Sequence, residues 1–167
     1  APAYQIRQTN LKAHTGDMWF RGDNPANGAL IDYWIGAAGA APAVTVHTSN
    51  GQLVNTLRAT GNRGINRIVW NLRETDLPIR GGGGGDDDAG APRGGVPGPL
   101  VSPGTYVVRL VAGDRTLEQK VEVREDPRID ASPADRKQWT DAVQQAAALA
   151  RAFGPVNDRI QKMAGTG

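Results

Sequence analysis

Residues 64–73, GINRIVWNLR, alternate apolar and mostly polar side chains around a tryptophan. Successive side chains of a β-strand point to opposite faces, so Ile68, Trp70 and Leu72 would share one apolar face. A tryptophan in the middle of such a face buries more area than its neighbours, and the other strands must be fitted around it. We therefore predict that Trp70 anchors the core of a small β-sandwich.

The same alternation predicts five further strands, at residues 29–35, 44–48, 52–58, 106–110 and 117–124. Asn50-Gly51 predicts a two-residue hairpin turn between the second and third of these strands, because both positions of such a turn need positive φ angles. Gly113-Asp114 predicts the turn between the last two. The inward positions of these strands predict a core around Trp70 that includes Ile68, Leu72, Tyr106, Val108 and Leu110.

From residue 81 the composition changes to a glycine-rich tract. Five consecutive glycines precede Asp86-Asp87-Asp88, and more glycines and prolines follow. Neither a helix nor a strand forms with this composition, so we expect a surface loop over residues 81–99. The three carboxylates leave a calcium site open as an alternative, although a calcium loop spaces its ligands at alternate positions.

The C-terminal residues follow the 3.6-residue period of amphipathic helices. Ser132 is typical of a helix N-cap, and Pro133 is typical of a first turn. Gly154-Pro155 interrupts the pattern and predicts two helices instead of one. The chain offers little to cover the apolar stripe of the first helix. We therefore expect contacts with other domains of a larger chain, or with copies of this chain, through Trp139, Val143, Ala147, Ala150 and Phe153.

These patterns predict a mainly β fold, an immunoglobulin/fibronectin III-like antiparallel β-sandwich of six or seven strands with a C-terminal α-helical hairpin. We expect an extended lead-in over residues 1–27 that packs on the sandwich. The sandwich then covers residues 28–128, and the helical hairpin covers residues 129–167. A chain of 167 residues is long enough to bury such a core without disulfides or metals.

The composition excludes several classes of protein. The chain has no cysteine, which excludes disulfides and thiolate metal sites. Its 19 Lys and Arg nearly balance 17 Asp and Glu and form no cluster, so nucleic acid is not an expected partner. No apolar run approaches about 18 residues, so we expect no membrane span. The chain opens with Ala1 and not with Met, as a processed or excised product would.

No pattern in the sequence assigns a catalytic, cofactor-binding or metal site. His14 and His47 are the only histidines, and their separation disfavours a zinc site. Trp19 and Trp34 belong to neither the Trp70 strand nor the helical stripe, so they are the candidates for contact with a sugar ring. A hydrolase remains a rival hypothesis, with nothing that singles out a catalytic pair among Asp17, Asp23, Asp32, Glu74 and Asp76.

Five motifs occur in an order that resembles a known family. They are residues 23–29 (DNPANGA), 50–57 (NGQLVNTL), 64–73 (GINRIVWNLR), 98–106 (GPLVSPGTY) and 126–128 (DPR). In this order they are similar to the C-terminal region of large secreted bacterial proteins of the BNR-repeat or sortilin-like glycosyl hydrolase type. In those proteins one or two β-propellers precede an immunoglobulin-like domain, related in style to the FlgD Ig-like domain, and then a helical segment.

The resemblance implies an accessory role and not a catalytic one. The catalytic or ligand site of that family would lie in the propeller, and these 167 residues contain no propeller repeat. We therefore expect a non-catalytic module of a secreted, periplasmic or cell-surface bacterial protein, which serves in domain packing or protein–protein assembly and needs no cofactor. The alternatives are a carbohydrate-binding module and a self-assembling extracellular structural subunit.

Overall fold

The computed structural model describes residues 1–6, 26–78 and 96–164. These residues form a mainly β structure followed by one C-terminal helix, which confirms the coarse part of the predicted fold class. The strands are β1 (Ala3–Gln5), β2 (Ala29–Ile35), β3 (Ala43–Thr48), β4 (Leu53–Leu57), β5 (Gly64–Trp70), β6 (Gly104–Ala112) and β7 (Arg115–Glu125). The helix is α1 (Pro133–Ala164). Among these elements, no helix has the apolar stretch that crossing a membrane requires.

The strands form two sheets. Five strands pair in the order β1-β7-β6-β3-β4, and β2 pairs with β5 in a separate two-stranded sheet. All pairs are antiparallel except β1 with β7, which is parallel. The hairpin between β6 and β7 turns at Gly113-Asp114 as the sequence predicts, with Ala112 opposite Arg115.

The core lies where β5 meets the larger sheet. The indole of Trp70 on β5 packs edge-on against the ring of Tyr106 on β6. The largest fully buried side chains are Trp70, Leu72, Val44, Val46 and Val123. Of the residues that the sequence assigned to the core, Ile68, Trp70, Leu72, Tyr106 and Val108 are buried, whereas Leu110 is half-buried.

Leu72 is buried in an unfavourable backbone conformation. Its φ is +58°, and its side chain is only 1% exposed. The left-handed region costs a non-glycine residue roughly 1–2 kcal/mol. Burial of a leucine side chain contributes about 1.5–3 kcal/mol, so packing outweighs the strain at this position.

The turn between β3 and β4 differs from the predicted two-residue turn. The Gly51 N–H donates to the Thr48 carbonyl, the Thr48 N–H donates to the Gln52 carbonyl, and β4 begins at Leu53. Three residues therefore form the loop, and Gly51 adopts a positive φ of +87° whereas Asn50 does not. A type I turn completed by a left-handed glycine needs only one such residue, which explains the difference.

The chain divides into two compact units. The first unit comprises Ala1–Leu72 and Pro103–Arg128, and the second comprises Arg73–Ser102 and Ile129–Gly167. The predicted sandwich range 28–128 therefore includes a segment that belongs to the second unit. Within the predicted lead-in 1–27, Ala3–Gln5 joins the larger sheet as β1, and residues 7–25 lie outside the described residues.

The predicted loop 81–99 is described only at its C-terminal end. Residues 81–95 lie outside the described residues, but Val96 accepts the Leu77 N–H and Pro99 accepts the Glu74 N–H. Gly98 is buried, and a Cβ there would lie 2.4 Å from the Glu74 carbonyl oxygen. Composition favours a loop at this position, but backbone pairing with the preceding segment fixes it in place.

The predicted helical hairpin is wrong, because α1 continues from Pro133 to Ala164 with Pro155 inside it. A proline inside a helix removes one hydrogen bond and either kinks the helix or ends it, and here the helix continues. Contacts of Arg151 and Gly154 with residues 73–78 support the helix up to the proline. The predicted start is confirmed, since the Ser132 hydroxyl accepts the Asp135 N–H at 3.1 Å and donates to the Asp135 carboxylate at 2.6 Å.

Candidate binding surface

The two-stranded sheet has one buried and one exposed face. Inward-facing side chains alternate along β2 and β5 with outward-facing ones, as the period of a strand requires. We call the exposed side the outer β2–β5 face. It consists of three cross-strand pairs, Leu30 with Val69, Asp32 with Arg67, and Trp34 with Ile65.

Apolar side chains lie at both ends of this face. Trp34 is 72% exposed and Ile65 opposite it is 81% exposed. Leu30 and Val69 form the second exposed apolar pair, at the other end of the face. Large apolar side chains that adjoin one another on a surface mark an interaction site more often than scattered ones do. The outer β2–β5 face is therefore the strongest candidate binding surface of the first unit.

The middle of the face carries a bidentate ion pair. Arg67 donates from Nε to Asp32 Oδ1 at 2.7 Å and from Nη2 to Asp32 Oδ2 at 2.8 Å. These hydrogen bonds are the main reason that the pKa of Asp32 is lowered and the pKa of Arg67 is raised. Both side chains remain half exposed, so the pair contributes little to stability. Its main effect is to neutralise the charge between the two apolar pairs.

The Trp34 ring lies close to Gly36. A Cβ on Gly36 would lie 2.9 Å from Cη2 and 3.2 Å from Cζ3 of Trp34. The benzene part of the indole therefore lies over the backbone just beyond the end of β2. The rest of the ring remains open to solvent, as a surface that binds a flat or apolar partner requires.

A polar network around the buried Asn66 joins β2 and β5 behind this face. The Tyr33 hydroxyl accepts the Thr60 N–H at 2.7 Å, and the Thr60 hydroxyl donates to Asn66 Oδ1 at 2.7 Å. Asn66 donates from Nδ2 to the carbonyl oxygens of Asn62 and Gly64. Because the amide of Asn66 has partners for both its oxygen and its nitrogen, the network stabilises the loop before β5 and the register of the two strands.

Of the two tryptophans that the sequence proposed as sugar contacts, the structure describes only Trp34. Trp34 lies exposed on the outer β2–β5 face, whereas Trp19 lies outside the described residues. Sequence reasoning did not include Leu30, Ile65 and Val69 in the candidate site. The sequence did contain a signal for these three residues. They are large apolar residues at the outward positions of two strands, and the inward positions of the same strands are also apolar.

Two of the acids that the sequence left open for a catalytic pair have structural partners. Glu74 accepts hydrogen bonds from Gln144 and Arg151, both at 2.6 Å, and so ties residues 73–78 to α1 within the second unit. Asp32 pairs with Arg67 in the first unit. Asp76 belongs to the second unit, and Asp17 and Asp23 lie outside the described residues.

Of the residues considered for metal sites, only His47 lies among the described residues. The ring nitrogens of His47 lie 2.9 Å from the Thr45 hydroxyl and 3.2 Å from the Gly51 carbonyl oxygen, inside the β3–β4 hairpin. His14 and Asp86-Asp87-Asp88 lie outside the described residues. Over residues 1–6, 26–78 and 96–164, no three acidic or histidine side chains come together to hold a metal ion.

A shallow depression of about 400 Å³ lies on α1. The described residues that line it are Ala134, Lys137, Gln138, Asp141, Ala142 and Gln145. Its two charged side chains, Lys137 and Asp141, pair with each other at 2.6 Å. A small-molecule site usually gathers polar groups from several elements, and this lining comes from a single helix.

Comparison of the chain with protein-family models, with curated proteins and with solved structures gives no match. What the outer β2–β5 face binds must therefore be inferred from its own chemistry.

Proposed function

We propose that this chain is a non-catalytic module with an Ig-like sandwich fold that packs against another protein domain through the outer β2–β5 face. The observation that carries the proposal is the pair of exposed apolar clusters on either side of a neutralised ion pair. The motif order that resembles the Ig-like region of secreted bacterial propeller proteins supports the same role and favours a secreted, periplasmic or cell-surface setting.

The chemistry of the face favours a protein surface as the occupant. Cores of protein interfaces are apolar, rich in aromatic residues and depleted of unpaired charge. The Arg67 guanidinium donates two hydrogen bonds to the Asp32 carboxylate. A polar ligand would therefore have to compete with that pair. An apolar partner would leave the pair intact and cover the side chains on both sides of it.

The size of the face suits a docking contact between domains. Its four apolar side chains present on the order of 400 Å² of apolar surface, which is about the largest patch that a monomeric protein usually exposes. A specific interface covers roughly 800 Å² on each partner, so this patch would form the apolar centre of an interface with a polar rim.

Hydroxyl-radical footprinting tests the proposal. The protein would be labelled as isolated from its natural source with any attached domains or subunits, and separately as the 167-residue chain alone. We expect oxidation of Trp34 to fall several-fold in the natural assembly, because docking excludes water from the indole. Leu117, which lies on β7 and is 65% exposed, serves as the control and should react equally in both samples. Equal oxidation of Trp34 in both samples would overturn the proposal.

A carbohydrate ligand is the second candidate, and the exposed ring of Trp34 favours it. A sugar ring stacks on an exposed indole, and the indole of Trp34 is 72% exposed. Glycan-array binding that is lost in Trp34→Ala but kept in Leu117→Ala would support this function. Absence of binding by the wild-type chain would exclude the glycans tested.

A further inference from the structure

Helix α1 carries a second exposed apolar surface, which is unrelated to the outer β2–β5 face. Eight residues recur at alternating steps of three and four positions from the first turns of the helix to its end. They are Trp139, Ala142, Ala146, Leu149, Phe153, Val156, Ile160 and Met163, and we call them the α1 seam. The six large side chains among them are between 48% and 72% exposed.

The spacing of the α1 seam is that of a coiled coil. Steps of three and four residues average 3.5, which keeps a narrow apolar line facing one partner helix along its length. A helix that packs on a globular core shows a wider stripe instead. The seam spans 24 residue steps, or roughly 36 Å of helix.

The α1 seam is distinct from the face that α1 uses within the second unit. Gln144 and Arg151 bind Glu74, Gly154 packs on Pro78, and Ala147 is buried between them. At 100° per residue this covered face and the seam point in largely opposite directions. The five residues of the predicted stripe are therefore divided between two faces of the helix. Val143, Ala147 and Ala150 lie on or beside the covered face. Trp139 and Phe153 belong to the seam.

We propose that two copies of this chain associate through their α1 seams in an antiparallel pair. An antiparallel alignment centred near residue 151 sets each seam residue of one copy against a different residue of the other. The facing pairs are Trp139 with Met163, Ala142 with Ile160, Ala146 with Val156, and Leu149 with Phe153.

The sizes of the facing side chains favour this alignment. Each alanine of the N-terminal half meets a β-branched residue of the C-terminal half, so small and large side chains alternate as a packed core requires. In a parallel pair Ala142 and Ala146 would face their own copies and leave gaps, whereas Trp139 and Phe153 would face theirs and crowd the seam. An isologous pair of this kind closes on itself as a dimer.

The flanking residues and the buried area agree with a second copy as the occupant. In this register Arg159 faces Gln145, and Ala150 and Ala152 face their own copies, so no like charges oppose each other across the seam at these described positions. The six large side chains expose on the order of 100 Å² each, so that two copies would bury on the order of 1,200 Å². That area reaches the lower end of what specific, stable interfaces bury.

The first test measures the mass of the intact chain by sedimentation over a wide concentration range. We expect a monomer–dimer equilibrium for the wild type. Leu149→Lys and Phe153→Glu should each weaken dimerisation by more than about tenfold, because each sets an unpaired charge against an apolar side chain. Leu117→Glu, on β7 where the side chain is 65% exposed, is the matched control and should dimerise like the wild type. Circular dichroism of each variant would verify that the helix is retained.

Mixing the Leu149→Lys and Phe153→Glu variants tests the direction of pairing. In the antiparallel register the substituted position 149 of one chain faces the substituted position 153 of the other, so the new ammonium and carboxylate groups meet. The unchanged Phe153 of the first chain then meets the unchanged Leu149 of the second, as in the wild type. We therefore expect the mixture to recover a heterodimer, which a parallel pair could not form through these contacts. A wild type that stays monomeric, variants that dimerise normally, or a mixture that stays monomeric would each overturn the proposal.

Discussion

The indole of Trp70 meets the ring of Tyr106 with the ring centroids 5.3 Å apart and the planes inclined by 64°. This edge-to-face arrangement joins the two-stranded sheet to the five-stranded one, and both rings are buried. Aromatic pairs in this geometry contribute beyond the area that they bury. The contact is therefore one of the buried side-chain links between the two sheets of the first unit.

Truncation of Trp70 should destabilise the first unit severely. Trp70→Ala removes the largest buried side chain and leaves a cavity that the sheets cannot close, so we expect a loss of about 3–5 kcal/mol in the free energy of unfolding. Urea denaturation followed by far-ultraviolet circular dichroism measures it. Trp34→Ala is the matched control and should change stability by about 0.5 kcal/mol or less, because that indole is exposed. Equal losses in the two variants would contradict the assignment of the core.

Gly28→Ala should destabilise the first unit far more than a substitution in an ordinary turn would. Its φ is +132°, and a Cβ there would lie 2.1 Å from the Trp70 carbonyl oxygen. Gly28→Ala must therefore move the start of β2 away from β5, which adds to the roughly 1–2 kcal/mol of backbone strain alone.

Gly51→Ala separates the backbone strain of a positive φ from the close approach to the Trp70 backbone. Gly51 also has a positive φ, but a Cβ there meets nothing within 4 Å. We expect a smaller loss of thermal stability for Gly51→Ala than for Gly28→Ala. The reverse order in melting temperature would contradict the close contact between Gly28 and the Trp70 backbone.

Asp126 should make stability depend on pH in the acid range. Its buried carboxylate accepts hydrogen bonds from the Arg128 guanidinium and from the Arg128 backbone N–H, which lower its pKa to about 2. An aspartate in an unfolded chain has a pKa of about 3.9. Between these values the unfolded state binds more protons, so the stabilisation is fully present above that higher value and is lost as the pH falls through about 2.

Urea unfolding between pH 5 and pH 2 measures this contribution. Asp126→Asn should reduce the acid dependence of the free energy of unfolding. Arg128→Gln removes the guanidinium but keeps the backbone N–H, so part of the dependence should remain. An Asp126→Asn slope equal to that of the wild type would contradict the assignment.

Gly154→Ala on α1 should destabilise the second unit, although alanine is the better helix former. Helix propensity alone favours the substitution by about 1 kcal/mol. A Cβ at this position, however, would lie 2.5 Å from the Pro78 carbonyl oxygen, which is backbone and does not yield easily. Ala152→Gly is a useful comparison, since it should lose only the helix propensity of alanine. A higher melting temperature for Gly154→Ala would show that residues 73–78 do not pack on the helix.

Local patterns predicted much of the fold. Alternation identified β2 and β5 and placed Trp70 in the core, and the Ser132 cap identified the start of α1. Strand β1 was missed because three residues show no period and pair in parallel with β7, far away in the sequence. The proline in α1 was misjudged because propensity does not include the contact between Gly154 and Pro78.

The candidate surface could be predicted only in part. The sequence named Trp34 together with Trp19, because neither belongs to the Trp70 strand or to the helical stripe. The pairing of Trp34 with Ile65, and of Asp32 with Arg67, depends on the register between β2 and β5. These partners are about 30 residues or more apart in the chain, and no local pattern determines such a register.

Each unit is built from two separated parts of the chain, Ala1–Leu72 with Pro103–Arg128 and Arg73–Ser102 with Ile129–Gly167. On the ribosome, β2 and β5 therefore emerge well before β6 and β7. Glu74 emerges 77 residues before Arg151, which donates a hydrogen bond to it. Neither unit can finish folding until most of these 167 residues have been synthesised. A nascent chain that ended before α1 would contain residues 73–78 without the helix against which they pack.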